Sequence, residues 1–360
     1  MALTPADLAA FSCRTPVLRS TVGRLIKPLV VNKQAMHRSL FFRFAGRRVP
    51  LTPVATVAAR LTGKSIRQTF SDPDAMYDAA CAAIFRFKLD AMMIVADFTV
   101  DAEALGCKLR FPENELPSVA THFVKSHDDL KKLSPVNPLR DGRMPVFLNV
   151  IRRLTRRFPL LMGSGSCGPF TTAAELCGVE DFCLKTITEP DFVESLMGFC
   201  TDQIIAYNRA QVEAGSDVIV LGEPSASVLS PRAFTRFALP CLQRIADALP
   251  CPVVLHICGD ANHLVSAMAE SRASALSFDA PVDLWAAAQK LPEHMIIAGN
   301  LDPISVMAEL DAGGVRQKTR ELLEKMKSVP LFIPATGCDL MPETPFENVD
   351  AFFETVKNFR

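Results

Sequence analysis

Short apolar runs, each ended by a polar residue or a glycine, alternate along the chain with longer stretches of helical spacing. The runs are Leu89 to Val95 with Asp97 just beyond, Phe158 to Met162, Asp217 to Leu221, Val253 to Leu255, 274–278 ending at Asp279, 295–298 ending at Gly299-Asn300, and Val329 to Ile333. Such near-continuous hydrophobicity suits strands buried on both faces, as in a parallel sheet. The stretches between them predict helices. One covers 72–87, opened by the cap and first-turn proline Asp72-Pro73, and another covers 190–214, closed by Gly215. Further helices are expected over 231–249, 260–271, 283–290 and 304–326, with a last one opened by Pro345. Alternation at this density, with a strand count close to eight, predicts an α/β fold, a (β/α)8 TIM barrel spanning 41–360.

The apolar, proline-punctuated stretch Val49 to Val54 reads as the entry to that barrel. Residues 1–40, with Pro5, Pro16, Pro28 and scattered basic residues, read as an N-terminal helical extension or cap. Residues 112–145, rich in Pro, Asp, Lys and Asn, read as a long excursion with a short helix and no strong strand. The glycine-rich segment Gly163-Ser164-Gly165-Ser166-Cys167-Gly168 reads as a loop. It lacks the lysine and the spacing of a phosphate cradle.

A barrel puts its chemistry at the carboxyl ends of its strands. Polar residues stand at that place repeatedly: Asp97, Glu223, His256 with Cys258, Asp279, Asn300 with Asp302, and Cys338. In Leu255-His256-Ile257-Cys258-Gly259 the period of two sends His256 and Cys258 to the same side. With Cys338 after a later strand, they make an imidazole and two thiolates, a donor set that suits zinc and leaves one position open. The bland alternative is a satisfied core histidine beside two small buried cysteines. Spacing alone does not decide between them.

Composition narrows the partners. Lys plus Arg and Asp plus Glu number 39 each, so no net charge draws the chain to nucleic acid or to an anionic membrane. Hydrophobic residues make up 49% of the 360, ample for one large core. Eleven cysteines without paired CxxC spacing point away from a disulfide scaffold and towards a reducing cytoplasm. No apolar stretch near the amino terminus is long enough for a leader or a span, so a soluble cytoplasmic protein is expected.

Several segments carry a resemblance: Asp97-Phe98-Thr99-Val100-Asp101-Ala102-Glu103-Ala104-Leu105-Gly106, Gly168-Pro169-Phe170-Thr171, Pro224-Ser225-Ala226-Ser227, Leu255-His256-Ile257-Cys258-Gly259, Gly299-Asn300-Leu301-Asp302-Pro303 and Gly337-Cys338. With them the chain resembles the uroporphyrinogen decarboxylase-like superfamily, in its methylcobamide:thiol methyltransferase branch. Cys338 stands where the decarboxylases carry histidine, and Glu175 where they carry tyrosine. Arg43-Phe44-Ala45-Gly46-Arg47 mimics their substrate-carboxylate motif but precedes the apolar stretch that the motif should follow. The resemblance implies zinc on His256, Cys258 and Cys338, with Asp279 completing the metal shell until substrate displaces it. It also implies Asp97, Glu223, Ser225 and Asn300 as substrate-binding residues.

The activity implied is transfer of methyl from a methylcobamide, carried by a separate corrinoid protein that docks transiently, to a thiol such as coenzyme M or to tetrahydrofolate. The chain has no cobalamin-binding Asp-x-His-x-x-Gly stretch of its own. The alternatives are a metal-free tetrapyrrole decarboxylase and a corrinoid-binding protein without catalysis.

Overall fold

The computed structural model describes residues 49–95 and 97–359. The expected extension over 1–40, the barrel boundary at 41 and the Arg43–Arg47 motif lie outside the described residues. Seven strands form one parallel sheet in chain order: β1 Ala91–Val95, β2 Leu161–Cys167, β3 Val218–Gly222, β4 Val253–Ile257, β5 Ala275–Phe278, β6 Ile296–Leu301 and β7 Phe332–Thr336. At the outer side of β7, the Leu51 amide donates to the Pro334 carbonyl (3.0 Å) and Thr52 Oγ1 accepts from the Thr336 amide (3.1 Å). This extended segment stands where an eighth strand would complete the ring. Pro50 and Pro53 have no N–H to give, so it cannot build a ladder.

The period of two divides the strands cleanly. Outward residues such as Met92, Met162, Leu221, Leu255, Phe278 and Phe332 are buried in the layer between sheet and helices. Inward residues form a separate cluster drawn from every strand: Ala91, Leu161, Val218, Val254, Ala275, Ile296 and Ile333, with Leu51 packed against it. That cluster is the floor of the barrel. Above it, towards the carboxyl ends, the inward positions turn small: Gly163, Gly222, Ser277, Ala298 and Ala335. A cavity opens there that encloses about 1010 Å³, the part open to solvent included.

The helices are largely where the periodicity predicts. Helix α1, Pro73–Phe87, is capped by Asp72, whose side chain accepts from the Asp74 and Ala75 amides. The excursion carries a short antiparallel ribbon, Leu109–Arg110 with Ser118–Val119, and a helical turn at His127–Leu130. It returns through α2, Met144–Arg157, and α3, Pro169–Cys177, follows β2. Helix α4, Pro190–Ala214, has the expected bounds.

Three expectations need correction. The helix expected over 260–271 shrinks to α5, Val265–Ala269, after a turn in which Asp260 accepts from the Asn262 amide. The one expected over 304–326 starts only at Ala312 and is α6, Ala312–Lys325. There the Asp311 carboxylate caps the Gly314 amide, while Asp302 holds the preceding residues in turns. The glycine-rich segment is strand, not loop. A Cβ on Gly165 would lie 2.1 Å from the Val220 carbonyl oxygen, and one on Gly163 would lie 2.2 Å from Met93 Sδ, so glycine permits close approach to the neighbouring strands. No described helix is long and apolar enough to cross a membrane.

These contacts set opposite expectations for two glycines. Gly165→Ala drives a methyl into backbone and should cost about 2–4 kcal/mol in urea unfolding. Gly198, inside α4 with nothing within 4 Å of a built Cβ, should gain up to about 1 kcal/mol on change to Ala. Equal effects from the two would refute the packing assigned to β2.

Candidate metal centre

His256 sits on β4 in register with Ser277 on β5, and both face the cavity. Cys258 is the next inward position after His256, one residue past the strand end, and Cys338 lies two residues beyond β7. The three donors converge. His256 Nε2 is 3.1 Å from Cys258 Sγ, the two sulfurs are 3.8 Å apart, and all three ligand atoms lie within 4.8 Å of one another. A disulfide needs about 2.05 Å between its sulfurs, so this pair is not bonded. Two sulfurs each about 2.3 Å from a tetrahedral ion stand about 3.8 Å apart, which is the observed separation.

The surroundings aim these atoms. His256 Nδ1 lies 3.1 Å from Ser277 Oγ, leaving Nε2 to the sulfurs. A contact of this kind fixes the ring's orientation, as it would for an imidazole that holds a metal. The Cys338 thiol is pushed down to about 5, chiefly by the hydrogen bond from Cys258, against burial and with help from His256. The Cys258 thiol is raised, first by that same bond and then by burial.

Asp279 does not join the cluster. Its Oδ2 accepts from the Gly259 amide (2.8 Å) and its Oδ1 from the Ala280 amide (2.7 Å). A Cβ on Gly337 would come within 2.5 Å of Asp279 Oδ1. The carboxylate is thus wedged between the turn after Cys258 and the turn before Cys338, buttressing both ligand loops. Asp97 lines the cavity, but its carboxylate is already engaged by Arg143, at 2.5 and 3.1 Å, and by Thr99 Oγ1 at 2.6 Å.

The other expected substrate contacts face elsewhere. Glu223 accepts from the Phe170 and Thr171 amides and from Thr171 Oγ1, so it holds the start of α3. The Ser225 amide donates to Thr171 Oγ1. Asn300 donates to the Asp279 and Val282 carbonyls, tying down the loop after β5. Neither Glu223, Ser225 nor Asn300 lines the cavity. Glu223 and Asn300 stand at strand ends, as pocket residues should, yet their polar side-chain atoms bond backbone groups of neighbouring turns and, for Glu223, the Thr171 hydroxyl as well.

Sequence reasoning missed Ser277 and Arg143. Ser277 is the one polar residue of an apolar strand, a signal that could have found it. Arg143 lies in the irregular excursion, and nothing local marked it.

Behind the cavity, Asp101 is buried with Oδ2 accepting from the Cys167 amide while Oδ1 has no partner. Burial, with Asp97 nearby, raises its carboxyl to about 7. Because the folded chain keeps this proton where the unfolded chain releases it, the stabilisation is complete below about pH 4 and fades as pH rises through about 7. Thermal stability should therefore fall between pH 5 and pH 8, and Asp101→Asn should flatten that slope. An unchanged slope in the variant would remove Asp101 as its source.

Comparison with known proteins follows the same geometry. Residues 38–359 match the uroporphyrinogen decarboxylase (URO-D) family. The chain is 30% identical to a methylated-thiol–coenzyme M methyltransferase of Methanosarcina mazei, over 86% of this chain and 83% of that one. It is 30% identical to the methylcobamide:CoM methyltransferase MtbA of Methanosarcina acetivorans, over 91% and 98%. Uroporphyrinogen decarboxylases are more distant. A solved methyltransferase from Methanosarcina mazei superposes with a TM-score of 0.82 at 27% identity, covering 89% of this chain and 98% of that one.

Proposed function

The chain belongs to the uroporphyrinogen decarboxylase (URO-D) family, and on that premise we propose that it is a zinc-dependent methyltransferase that moves a methyl group from a protein-borne methylcobamide to a thiol. The observation that carries this reading is the convergence of His256, Cys258 and Cys338 at a tetrahedral edge length inside the barrel mouth. The names of the relatives supply the donor class, and the donor set supplies the metal. Bound there, zinc would hold a substrate thiol at its open position as the thiolate, which is the nucleophilic form.

The chain's own residues prepare that position. Ser277 orients the imidazole, and Asp279 holds the loops that carry the two sulfurs. The cavity wall of Phe70, Met93, Phe98, Val220 and Val254 keeps water from the reacting sulfur. The methyl group passes to sulfur without electrons. The C–S bond forms from a sulfur lone pair, the cobalt–carbon pair stays with cobalt, and the thiol proton leaves to solvent. The corrinoid protein docks over the carboxyl ends of the strands, where the cavity opens.

Elemental analysis of the purified chain should find about one zinc, and methylcobalamin should lose its methyl group to an added thiol. Cys338→Ala should lose both metal and transfer. Ser277→Ala should keep the metal but yield it to chelators about 10- to 100-fold more readily. Transfer that survives in protein stripped of metal would refute the zinc mechanism.

A further inference from the structure

Cys338 stands on an irregular loop that residues from the start of the barrel hold in place. β7 stops at Thr336, and no strand or helix resumes until Phe346. Ahead of the sulfur the loop is seated by the Gly337 amide, which donates to the Leu301 carbonyl at 2.7 Å. Beyond the sulfur no ladder is available, so side chains must satisfy the backbone. They come from Thr52, Thr56 and Arg60, spaced by four. The Thr336 amide donates to Thr52 Oγ1 at 3.1 Å, and Thr56 Oγ1 donates to the Leu340 carbonyl at 2.6 Å. Arg60 Nη1 donates to the Pro342 and Thr344 carbonyls at 2.7 and 2.9 Å. Thr56 and Arg60 project from one face of the helix Ala55–Thr62.

Of these ties the one from Thr56 is the best protected. The residue is 1% exposed, and the carbonyl it serves lies two residues past Cys338. Threonines within helices commonly turn the hydroxyl back to the carbonyl four residues earlier, as Thr201 and Thr319 do at 2.7 Å. Thr56 stands in the first turn, where its own helix offers no such carbonyl, and its hydroxyl reaches across 284 residues of sequence to the loop.

Resting on the zinc reading above, we infer that Thr56 is a positioning residue for the third ligand: by holding the Leu340 carbonyl it sets where the Cys338 sulfur stands, and Thr52 and Arg60 fix the loop on either side. A ligand that must be ordered at the moment of binding costs conformational entropy, so the hold on the ion depends on this anchorage. Cys258 does not share the dependence, because Asp279 pins its loop through the Gly259 amide. The two sulfurs are held from different parts of the barrel, and a change at Thr56 loosens one of them alone.

The test uses the full chain loaded with zinc, and with cobalt(II) as a coloured substitute whose near-ultraviolet absorption reports sulfur bonded to the metal. Thr56→Val keeps the shape of the side chain and removes the hydroxyl. It should weaken zinc binding by about 10- to 100-fold, and should lose the part of the cobalt absorption that the second sulfur supplies. Thr56→Ser keeps the hydroxyl and should restore both. Thr62→Val is the control, since the Thr62 hydroxyl donates to the Ala59 carbonyl of the same helix, and it should change neither. Wild-type affinity and absorption in Thr56→Val overturn the inference, as does a Thr56→Ser as weak as Thr56→Val. An equal loss in Thr62→Val also overturns it, by making the effect one of helix stability. Should Thr56→Val not fold, Arg60→Ala puts the same question to the outer tie. It should weaken zinc binding, and Arg60→Lys should restore it, because both bonds leave from one nitrogen that an ammonium replaces. An unmoved affinity in Arg60→Ala then overturns the inference. A wild-type chain that takes up neither metal overturns the zinc reading, and the inference falls with it.

Discussion

Closure of the parallel sheet is the constraint on which the site depends. Cys258 follows β4 and Cys338 follows β7, with two strands between them. In a flat sheet three strand spacings would hold those positions about 14 Å apart. The sulfurs are 3.8 Å apart because the sheet curls until the ends of β4 and β7 face each other across the mouth. The curl in turn needs an interior that fills at the floor and empties near the top. Leu161, Ile296 and Ile333 do the first, and Gly163, Gly222, Ala298 and Ala335 do the second.

Polar groups around the mouth are committed to structure before any ligand arrives. Arg143 clamps Asp97 and Glu103, Glu223 holds the start of α3, and Asp279 braces both ligand loops. Removing one partner from a buried pair such as Arg143–Asp97 leaves the other charge unpaired, at about 3–5 kcal/mol. The outcome is a largely apolar cavity, framed by these bonds, at whose mouth one nitrogen and two sulfurs come together.

Much of this was legible in the chain itself, for a physical reason. Strand alternation is local, so an apolar run of fixed period announces its strand and its inward residues. His256 and Cys258 can be paired from two positions of one strand. Cys338 could be added only by assuming the barrel, and the shared position of Asp97, Glu223, Asp279 and Asn300 at strand ends suggested a common pocket. The glycine-rich segment misled in the other direction. Its glycines answer a close approach of neighbouring strands, which a single strand cannot reveal.

By itself, the sequence determined the barrel class, the buried strands and the shared inward side of His256 and Cys258, because period and residue chemistry are written along one chain. Only the tertiary structure decided that the donors meet, that Asp279, Glu223 and Asn300 spend their polar atoms on backbone, and that Arg143 clamps Asp97. Those outcomes turn on which atoms lie within about 3 Å of each other. Residues distant in sequence compete for the same hydrogen bonds, and only the folded geometry settles that competition.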